Sequence, residues 1–182
     1  MRVIAGQFGG RELIAPRGRA TRPTSDRVRE AVFSILADVS GARVLDLFAG
    51  SGALAIEALS RGAASATLVD SGAPAVATIR RNLDALGIEA EVVRQPVSGF
   101  LRRARTDARL YDLVFADPPY RQAGSLSSGL TAGLVPVLAS TARVVTESDR
   151  RDPLDLELEL LDERRYGDTL IRIHAPHTPA NP

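Results

Sequence analysis

Two glycines and two aspartates in the first half of the chain have a spacing that suits a bound nucleoside. Residues 46–52 read Asp-Leu-Phe-Ala-Gly-Ser-Gly and lie between an apolar segment and a helical pattern. Gly50 and Gly52 allow a tight turn and a close approach of the backbone to a ligand. The first turn of the following helix has free N–H groups. Asp70 ends the next apolar segment, where its carboxylate can accept hydrogen bonds from both hydroxyls of a ribose.

The same loop leaves other interpretations open. Residues 50–55 also match the dinucleotide-binding pattern G-x-G-x-x-A. A tight strand-to-helix turn without any ligand would need the same glycines. Phe48 favours a cofactor that has no phosphate, because a dinucleotide site prefers a small residue beside the pyrophosphate. The loop therefore predicts a nucleoside cofactor, with the dinucleotide as the alternative.

A second stretch, Asp117-Pro118-Pro119-Tyr120, has the composition of a site that accepts hydrogen bonds. It follows the apolar segment 113–116. Two prolines fix the backbone and remove two N–H donors, which leaves carbonyl oxygens beside the Asp117 carboxylate. Such a site suits an exocyclic amino group, and the Tyr120 ring offers a flat face to a planar base. The alternative is a rigid turn with a tyrosine in the core. The position of this stretch at the end of a strand disfavours that alternative.

Alternating apolar segments and helical patterns predict the elements that position both stretches. Strands are predicted at 44–48, 66–69, 90–93, 113–116 and 142–146, followed by an antiparallel pair near 154–161 and 169–174. Helices are predicted after a cap at Thr24 or Ser25, at 53–61, at 74–86, around 100–101 and at 128–139. Residues 1–14 predict a β-hairpin. This alternation is typical of a parallel sheet covered by helices on both faces, which binds ligands at the carboxyl ends of its strands.

The composition excludes several kinds of chemistry. The length of 182 residues corresponds to one domain, and all 23 basic residues are arginines. Without lysine there is no Schiff base and no P-loop, and without cysteine there is no thiolate nucleophile and no disulfide. The two histidines lie near the end of the chain, so we expect no metal site. No segment resembles a signal peptide or a membrane span, and we expect a cytoplasmic monomer.

Charge is distributed unevenly along the chain, although the net charge is only +1. Residues 1–29 contain seven arginines and two acidic residues, whereas residues 147–168 contain four arginines and nine acidic residues. Arginine pairs with phosphate oxygens in bidentate geometry, so the N-terminal segment is a candidate to contact phosphate. A solvated face is an equal alternative on charge alone. The candidate contacts are Arg2, Arg11, Arg17, Arg19, Arg22 and Arg27.

Taken together, residues 46–52, Asp70 and Asp-Pro-Pro-Tyr resemble the class I S-adenosylmethionine-dependent methyltransferases that modify amino groups. Residues 2–6, 10–11 and 21–30 and the turn Tyr166-Gly167-Asp168-Thr169 resemble the RsmD family, bacterial methyltransferases of a guanine N2 in 16S rRNA. The resemblance extends from about residue 1 to residue 174. It implies an α/β, Rossmann-like class I methyltransferase fold. That fold has a seven-stranded, mostly parallel sheet with an antiparallel C-terminal strand pair, and here an N-terminal β-hairpin extension.

The resemblance also implies roles for individual residues. S-adenosylmethionine would be the cofactor, with Asp46 near its methionine end and Asp70 at its ribose. The implied catalytic residues are Asp117, Pro118, Pro119 and Tyr120, which would orient the target amine and stack on the base. The implied cofactor contacts are Asp46, Phe48, Ala49, Gly50, Ser51, Gly52, Asp70, Ser71, Gln95, Pro96 and Val97. The implied partner is 16S rRNA or a small-subunit ribosomal particle, held by the arginines of residues 1–29.

The expected division of the chain follows from these assignments. Residues 1–40 are predicted to be an RNA-binding hairpin and helix, 41–175 the methyltransferase domain, and 176–182 a disordered tail. Residues 94–98 lack the acidic residue that often lies near the adenine amine in the wider fold, so Gln95, Ser98 or backbone groups remain for that contact. Three rival functions stay open. They are a nicotinamide-dependent oxidoreductase, an amine methyltransferase acting on DNA or protein, and a non-catalytic RNA-binding module.

Overall fold

A seven-stranded sheet forms the centre of the molecule, for which the computed structural model describes residues 1–15, 25–118 and 123–177. Its strands are β1 (Arg43–Leu47), β2 (Ser65–Asp70), β3 (Glu91–Arg94), β4 (Tyr111–Ala116), β5 (Leu138–Asp149), β6 (Glu159–Tyr166) and β7 (Thr169–Ala175). They lie in the order β3-β2-β1-β4-β5-β7-β6. Strands β1 to β5 pair in parallel, and β7 is antiparallel to β5 and β6. The predicted sheet is confirmed.

Helices cover both faces of the sheet and divide the core in two. The helices are α1 (Asp26–Leu36), α2 (Ala53–Ser60), α3 (Ala73–Leu86), α4 (Val97–Thr106) and α5 (Ala123–Leu134). The apolar faces of α1, α2 and α3 pack on one side of the sheet. Those of α4 and α5 pack on the other side. Buried strands with helices on both faces are the arrangement that the alternating pattern predicts.

The helix ends follow from local sequence. Ser25 caps α1, since its hydroxyl accepts a hydrogen bond from the Val28 N–H at 3.3 Å. Pro74 lies in the first turn of α3, where its missing N–H costs nothing. Gly87 ends α3 with a φ of 64°. The Ser25 cap is confirmed, and Thr24, the other predicted cap, lies outside the described residues.

Two predicted elements were placed wrongly. The strand predicted at 154–161 begins only at Glu159. Leu154, Leu156 and Leu158 alternate with exposed residues because they pack into the core beside α5, not because they pair with a strand. The backbone N–H groups of residues 155 and 157 instead donate to Ser127 Oγ and Thr131 Oγ1 of α5, both at 3.2 Å. The helix predicted at 128–139 runs from 123 to 134 and ends in a short 3₁₀ turn that contains Pro136.

Strand β5 is much longer than the predicted segment 142–146. It runs from residue 138 to residue 149, and its last residues pair with β7 from Glu147↔Ile171 to Asp149↔Thr169. The parallel pairing with β4 ends earlier, at Ala116↔Thr146. The antiparallel partner, which lies far along the sequence, therefore extends β5 beyond the carboxyl end of β4.

The N-terminal hairpin is present but short. Arg2 and Glu12 form its single antiparallel bridge. The Val3 N–H donates to Arg11 O, and the Leu13 N–H to Met1 O, both at 2.9 Å. Val3 and Leu13 are buried against α1, α2 and α3, so the hairpin is part of the core on that face.

The order of the strands reverses at β1, which lies between β2 and β4. Chain segments leaving β1 and β4 therefore diverge to opposite faces of the sheet. In open α/β sheets this divergence leaves a crevice outside the carboxyl ends of the strands. Residues 46–52, Asp70 and Asp117 all lie at this edge.

Candidate active site

The loop between β1 and α2 turns tightly over the carboxyl end of β1. Phe48, Gly50 and Gly52 have positive φ values of 60°, 56° and 77°. A Cβ atom at Gly52 would also come within 2.8 Å of Cδ2 of the buried Leu68, which would have to shift. For the non-glycine Phe48 this conformation is strained, and strain of this kind is concentrated at functional sites. Strand β1 ends at Leu47, one residue before the predicted end.

Asp70 connects this loop to the start of α3. Its Oδ2 accepts a hydrogen bond from the Gly50 N–H at 3.0 Å, and its Oδ1 accepts one from the Gly72 N–H at 2.7 Å. An ionised carboxylate has about four acceptor positions. The half-buried Asp70 carboxylate can therefore hold the loop and still accept hydrogen bonds from a ribose.

Asp46 lies on the floor of the crevice and is buried. Its Oδ2 accepts a hydrogen bond from the Ala55 N–H at 3.2 Å. Burial raises the pKa of Asp46 to about 8, and the charge of Asp70 adds to this rise while the Ala55 hydrogen bond opposes it. Desolvation of the charged form is the dominant cause.

Asp117 and Pro118 follow β4 directly and lie beside the loop. Ala116 pairs with Leu47 of β1 on one side and with Thr146 of β5 on the other. Asp117 therefore lies between the residues that leave β1 and Glu147 of β5. Burial, followed by the charges of Glu147 and Asp46, raises the pKa of Asp117 well above its usual range. Sequence analysis missed Glu147, whose place beside Asp117 depends on the strand pairing.

The carboxyl edge of the sheet suits a cationic ligand. It carries the carboxyl groups of Asp46, Asp70 and Asp117 at the ends of β1, β2 and β4. A Cβ atom at Gly50 would meet only Phe48 O, at 3.8 Å, so this side of the loop is open. S-adenosylmethionine carries a sulfonium and an ammonium group, and a nearby cation favours the ionised form of crowded carboxyl groups. The residues present fit this cofactor.

The remaining predicted cofactor contacts flank the same edge. Ser71 is exposed directly after β2. The Gln95 N–H donates to Asp70 O at 3.2 Å, which ties the end of β3 to the end of β2. Pro96 caps α4 and Val97 is its first residue. The structure brings these residues to the predicted edge, and their contact with a cofactor stays a prediction.

Asn82 of α3 joins the loop to the N-terminal hairpin, and sequence analysis missed it. Its Nδ2 donates to Ser51 O at 2.9 Å and to Ile14 O at 3.0 Å, while its Oδ1 accepts from the Ile14 N–H at 2.8 Å. The signal is present in the sequence, since Asn82 interrupts the apolar face that Ile79 and Leu83 form. A polar residue buried on such a face needs hydrogen-bond partners.

Glu57 of α2 docks the first residues of the chain in the same way. It is fully buried, and its carboxylate accepts hydrogen bonds from the Ile4 N–H at 2.7 Å and the Ala5 N–H at 3.1 Å. Arg61 Nε donates to it at 2.7 Å. The fully buried Arg29 of α1 lies nearby, with its Nε 4.0 Å from the Glu57 carboxylate. The hairpin is thus held by polar side chains of α2 and α3.

Three of the six arginines predicted to contact RNA are described, and all three are exposed. Arg2 Nε lies 3.6 Å from Asp26 Oδ2, and Arg11 Nη2 donates to Ala85 O at 3.3 Å. Arg27 lies in the first turn of α1. The other predicted residues, Arg17, Arg19, Arg22, Pro119 and Tyr120, lie outside the described residues, as do residues 178–182 of the predicted tail.

Among residues 1–15, 25–118 and 123–177, no group of three acidic or histidine side chains is arranged to hold a metal ion. Within the same part of the chain, no helix combines the length and apolar character that crossing a membrane requires.

The fold and the site define a class I methyltransferase. Comparison with known proteins narrows this class. Residues 1–175 match the family model described as Conserved hypothetical protein 95. Ribosomal RNA small subunit methyltransferase D of Escherichia coli strain K12 is 44% identical over 124 residues, which cover 67% of this chain and 61% of that protein. The chain belongs to this RsmD family.

Two longer matches extend over almost the whole chain. YlbH of Bacillus subtilis strain 168 is 36% identical over 180 residues, which cover 96% of this chain and 98% of YlbH. The structure of yhhF from Escherichia coli superposes with a TM-score of 0.82 at 36% identity and covers 97% of both chains. The fold and the family assignment therefore extend through the N-terminal hairpin to the end of the sheet.

Proposed function

We propose that this protein transfers the methyl group of S-adenosylmethionine to the exocyclic N2 of a guanine in 16S rRNA. The observation that carries the proposal is the position of Asp117 and Pro118 at the end of β4, directly beside the loop at 46–52. A site that accepts hydrogen bonds thus lies next to a site that fits the cofactor. The name of the Escherichia coli relative, Ribosomal RNA small subunit methyltransferase D, supports the ribosomal RNA of the small subunit as the substrate.

The main contribution of the protein to this reaction is to orient the target amine. The amine of guanine is a weak nucleophile because its lone pair is delocalised into the ring. Hydrogen bonds from this amine to the Asp117 carboxylate and the Pro118 carbonyl favour a pyramidal nitrogen whose lone pair faces the methyl group. Holding reactants near attack distance can lower a barrier by roughly 7–11 kcal/mol. The nitrogen–carbon bond forms as the carbon–sulfur bond breaks, and the surplus proton then leaves the nitrogen for Asp117 or water.

The cofactor, when bound, supplies an electrophilic methyl group on a positively charged sulfur. We assign Asp70 to its ribose and Asp46 to its methionine end, with residues 48–52, Ser71 and residues 95–97 around it. Asp46 and Asp117 would complement the cationic charge. Tyr120, by its place in Asp-Pro-Pro-Tyr, would stack on the target base.

The basic N-terminal segment would hold the RNA around the target. Residues 1–40 would form this RNA-binding part and residues 41–175 the methyltransferase domain. Exposed Arg2, Arg11 and Arg27 are available to phosphates in the described part of the segment. The target base must be unstacked to reach Asp117, so a loop nucleotide or a flipped base is expected. We propose that the protein acts as a monomer in the cytoplasm, where ribosomal particles are assembled.

Mass spectrometry of 16S rRNA from a deletion strain tests the function. We expect one N2-methylguanosine to disappear and to return when the wild-type gene is restored. Asp117→Ala should fail to restore it, while the matched variant Asp107→Ala, at an exposed position after α4, should succeed. Calorimetry with S-adenosylhomocysteine should show that Asp117→Ala still binds and that Asp70→Ala binds weakly. Unchanged N2-methylguanosine in the deletion strain would refute the proposal.

A further inference from the structure

A cleft lined by Glu147 is left unassigned by the proposed function. It has a volume of about 380 Å³ and lies between the first turn of α1, the end of β5 and the turn from β6 to β7. This volume is within the range of small-molecule sites, roughly 300–1,000 Å³. Arg27, Glu147, Arg165 and Tyr166 are among the described residues that line it. The two arginines can contact a phosphate, Glu147 can accept hydrogen bonds from the donor edge of a base, and the Tyr166 ring can contact the aromatic ring of that base. One purine nucleotide contains all of these parts.

Glu147 connects this cleft to the site of methyl transfer. It also lines a narrow gap that is bordered by Asp117. Ala116 and Thr146 are paired across β4 and β5, so Asp117 and Glu147 follow at the same level on neighbouring strands. Adjacent strands are about 4.8 Å apart. Two carboxylates are thus placed side by side, one at the proposed amine site and one facing the cleft.

The edge of guanine that carries N2 matches this pair of carboxylates. It has three hydrogens to donate, one on N1 and two on N2. A carboxylate accepts at about four positions, so Glu147 can accept from a base in addition to its protein partners. Adenine presents a lone pair at N1 and no amine at C2, and a carboxylate would repel that lone pair. Two neighbouring carboxylates therefore select the guanine edge.

We propose that Glu147 determines the specificity for guanine by accepting a hydrogen bond from N1–H, while Asp117 and the Pro118 carbonyl hold the two N2–H groups. This inference rests on the proposed function. The half-buried Tyr166 ring would contact the base, and Arg27 and Arg165 would contact the flanking phosphates. The turn 166–169, which belongs to the resemblance in sequence, thereby gains a role in the site.

A base analogue separates this role from a structural one. 2,6-Diaminopurine keeps the amine at C2 but has an acceptor at N1 instead of a donor. Small subunits are reconstituted with 16S rRNA that carries guanine or 2,6-diaminopurine at the modified position, and methylation rates are compared. Wild-type protein should prefer guanine at least about tenfold, as one lost base contact of this kind implies. Equal rates on the two bases would overturn the proposal without any variant.

Glu147→Gln provides the second arm of the experiment. Its amide can donate to N1 of 2,6-diaminopurine, so we expect the preference for guanine to fall at least about fivefold. Glu159→Gln, at an exposed position on β6, is the matched control and should keep the wild-type preference. Thermal unfolding and binding of S-adenosylhomocysteine are measured for each variant to verify folding.

The outcomes distinguish this inference from the proposed function. If N2-methylguanosine disappears in the deletion strain but Glu147→Gln keeps the wild-type preference, Glu147 does not read the base and the proposed function still stands. If no N2-methylguanosine is lost, the proposed function itself fails. A preference that falls in Glu147→Gln alone, with normal folding, supports the role of Glu147.

Discussion

Three carboxyl groups lie close together at the ends of β1, β4 and β5. Asp46, Asp117 and Glu147 share one face of the sheet, as the pairing of Asp46 with Phe115 and of Phe115 with Val145 requires. Burial, with a contribution from the charge of Asp70, raises the pKa of Asp46 to about 8, and burial with the charges of Glu147 and Asp46 raises the pKa of Asp117 well above its usual range. The folded protein therefore keeps these carboxyl groups protonated at pH values at which they would be ionised in the unfolded chain.

Asp46 should make the stability of the free protein depend on pH. Its pKa is 3.8 in an ordinary environment and about 8 in the fold. The folded state binds the proton more tightly, so the free energy of unfolding should fall as the pH rises from about 4 to about 8. Urea unfolding without cofactor gives the free energy of unfolding at pH 5 and at pH 9. Between these two pH values it should fall by at least ~2 kcal/mol less in Asp46→Asn than in wild type. Identical losses in both proteins would contradict the role given to burial.

Asp117 should control the acidic limb of the pH–rate profile. A protonated carboxyl is a weaker hydrogen-bond acceptor for the amine and cannot take up the surplus proton, so kcat/KM should rise with pH as Asp117 ionises. Glu147→Gln removes a neighbouring negative charge, which should lower the pKa of Asp117 and move the limb to lower pH. The profile of Glu159→Gln should match that of wild type. An unmoved limb in Glu147→Gln would show that the two groups do not interact.

At the scale of elements, helices α2 and α3 bind the hairpin to the sheet through side chains. Glu57 accepts from the backbone of residues 4 and 5, and Asn82 holds both Ile14 and Ser51. Ser51 belongs to the loop assigned to the cofactor. The proposed RNA-binding segment and the cofactor loop therefore share one anchoring residue.

Removing that anchor should weaken both parts together. Asn82→Ala leaves the N–H and carbonyl groups of Ile14 and the buried Ser51 carbonyl without their side-chain partner. At about 1 kcal/mol for each hydrogen bond, we expect the free energy of unfolding to fall by about 2–4 kcal/mol. Binding of S-adenosylhomocysteine should weaken as the loop loosens. Thr78→Ala is the matched control, because the buried Thr78 hydroxyl donates a hydrogen bond only within α3, to Pro74 O at 2.9 Å. Its cofactor affinity, measured by calorimetry, and its free energy of unfolding, measured in urea, should be near those of wild type.

At the scale of the whole molecule, charge divides the chain into regions. Residues 1–29 carry a net charge of +5, residues 30–146 are neutral, and residues 147–168 carry −5. The acidic segment forms the far part of the sheet, where many of its charges pair locally, such as Arg164 with Asp162 at 3.1 Å. Arg27 of the basic segment and Glu147 of the acidic segment line the same cleft, so the two segments meet there.

Arg11 should contribute to RNA binding through charge alone. Removing one phosphate contact reduces the slope of log affinity against log salt by about 0.7–0.9. Arg11→Ala should therefore weaken binding to small subunits at low salt and flatten its salt dependence by that amount. Arg164→Ala, in the acidic segment, is the control and should leave the slope unchanged. If the slope for Arg11→Ala stays at the wild-type value, Arg11 does not contact the RNA.

Most of the framework was determined by sequence patterns that are local. The alternation of apolar segments with helical patterns predicts the order and kind of the elements from β1 to β4, because each depends on neighbouring residues. Residues 46–52, Asp70 and Asp117 could be recognised because each directly follows or ends a strand, and parallel strands present their carboxyl ends at one edge of the sheet.

Contacts between distant residues could be decided only by the tertiary structure. The alternation at 154–158 arises from packing beside α5, and β5 extends to Asp149 because β7 pairs with it. Asn82 meets Ile14 across 68 positions of sequence, and Glu57 meets Ile4 across 53. Glu147 lies beside Asp117 only because of the register between β4 and β5. Sequence periodicity reports which face of an element is apolar, whereas the partner that satisfies a buried polar group is fixed by how the elements pack.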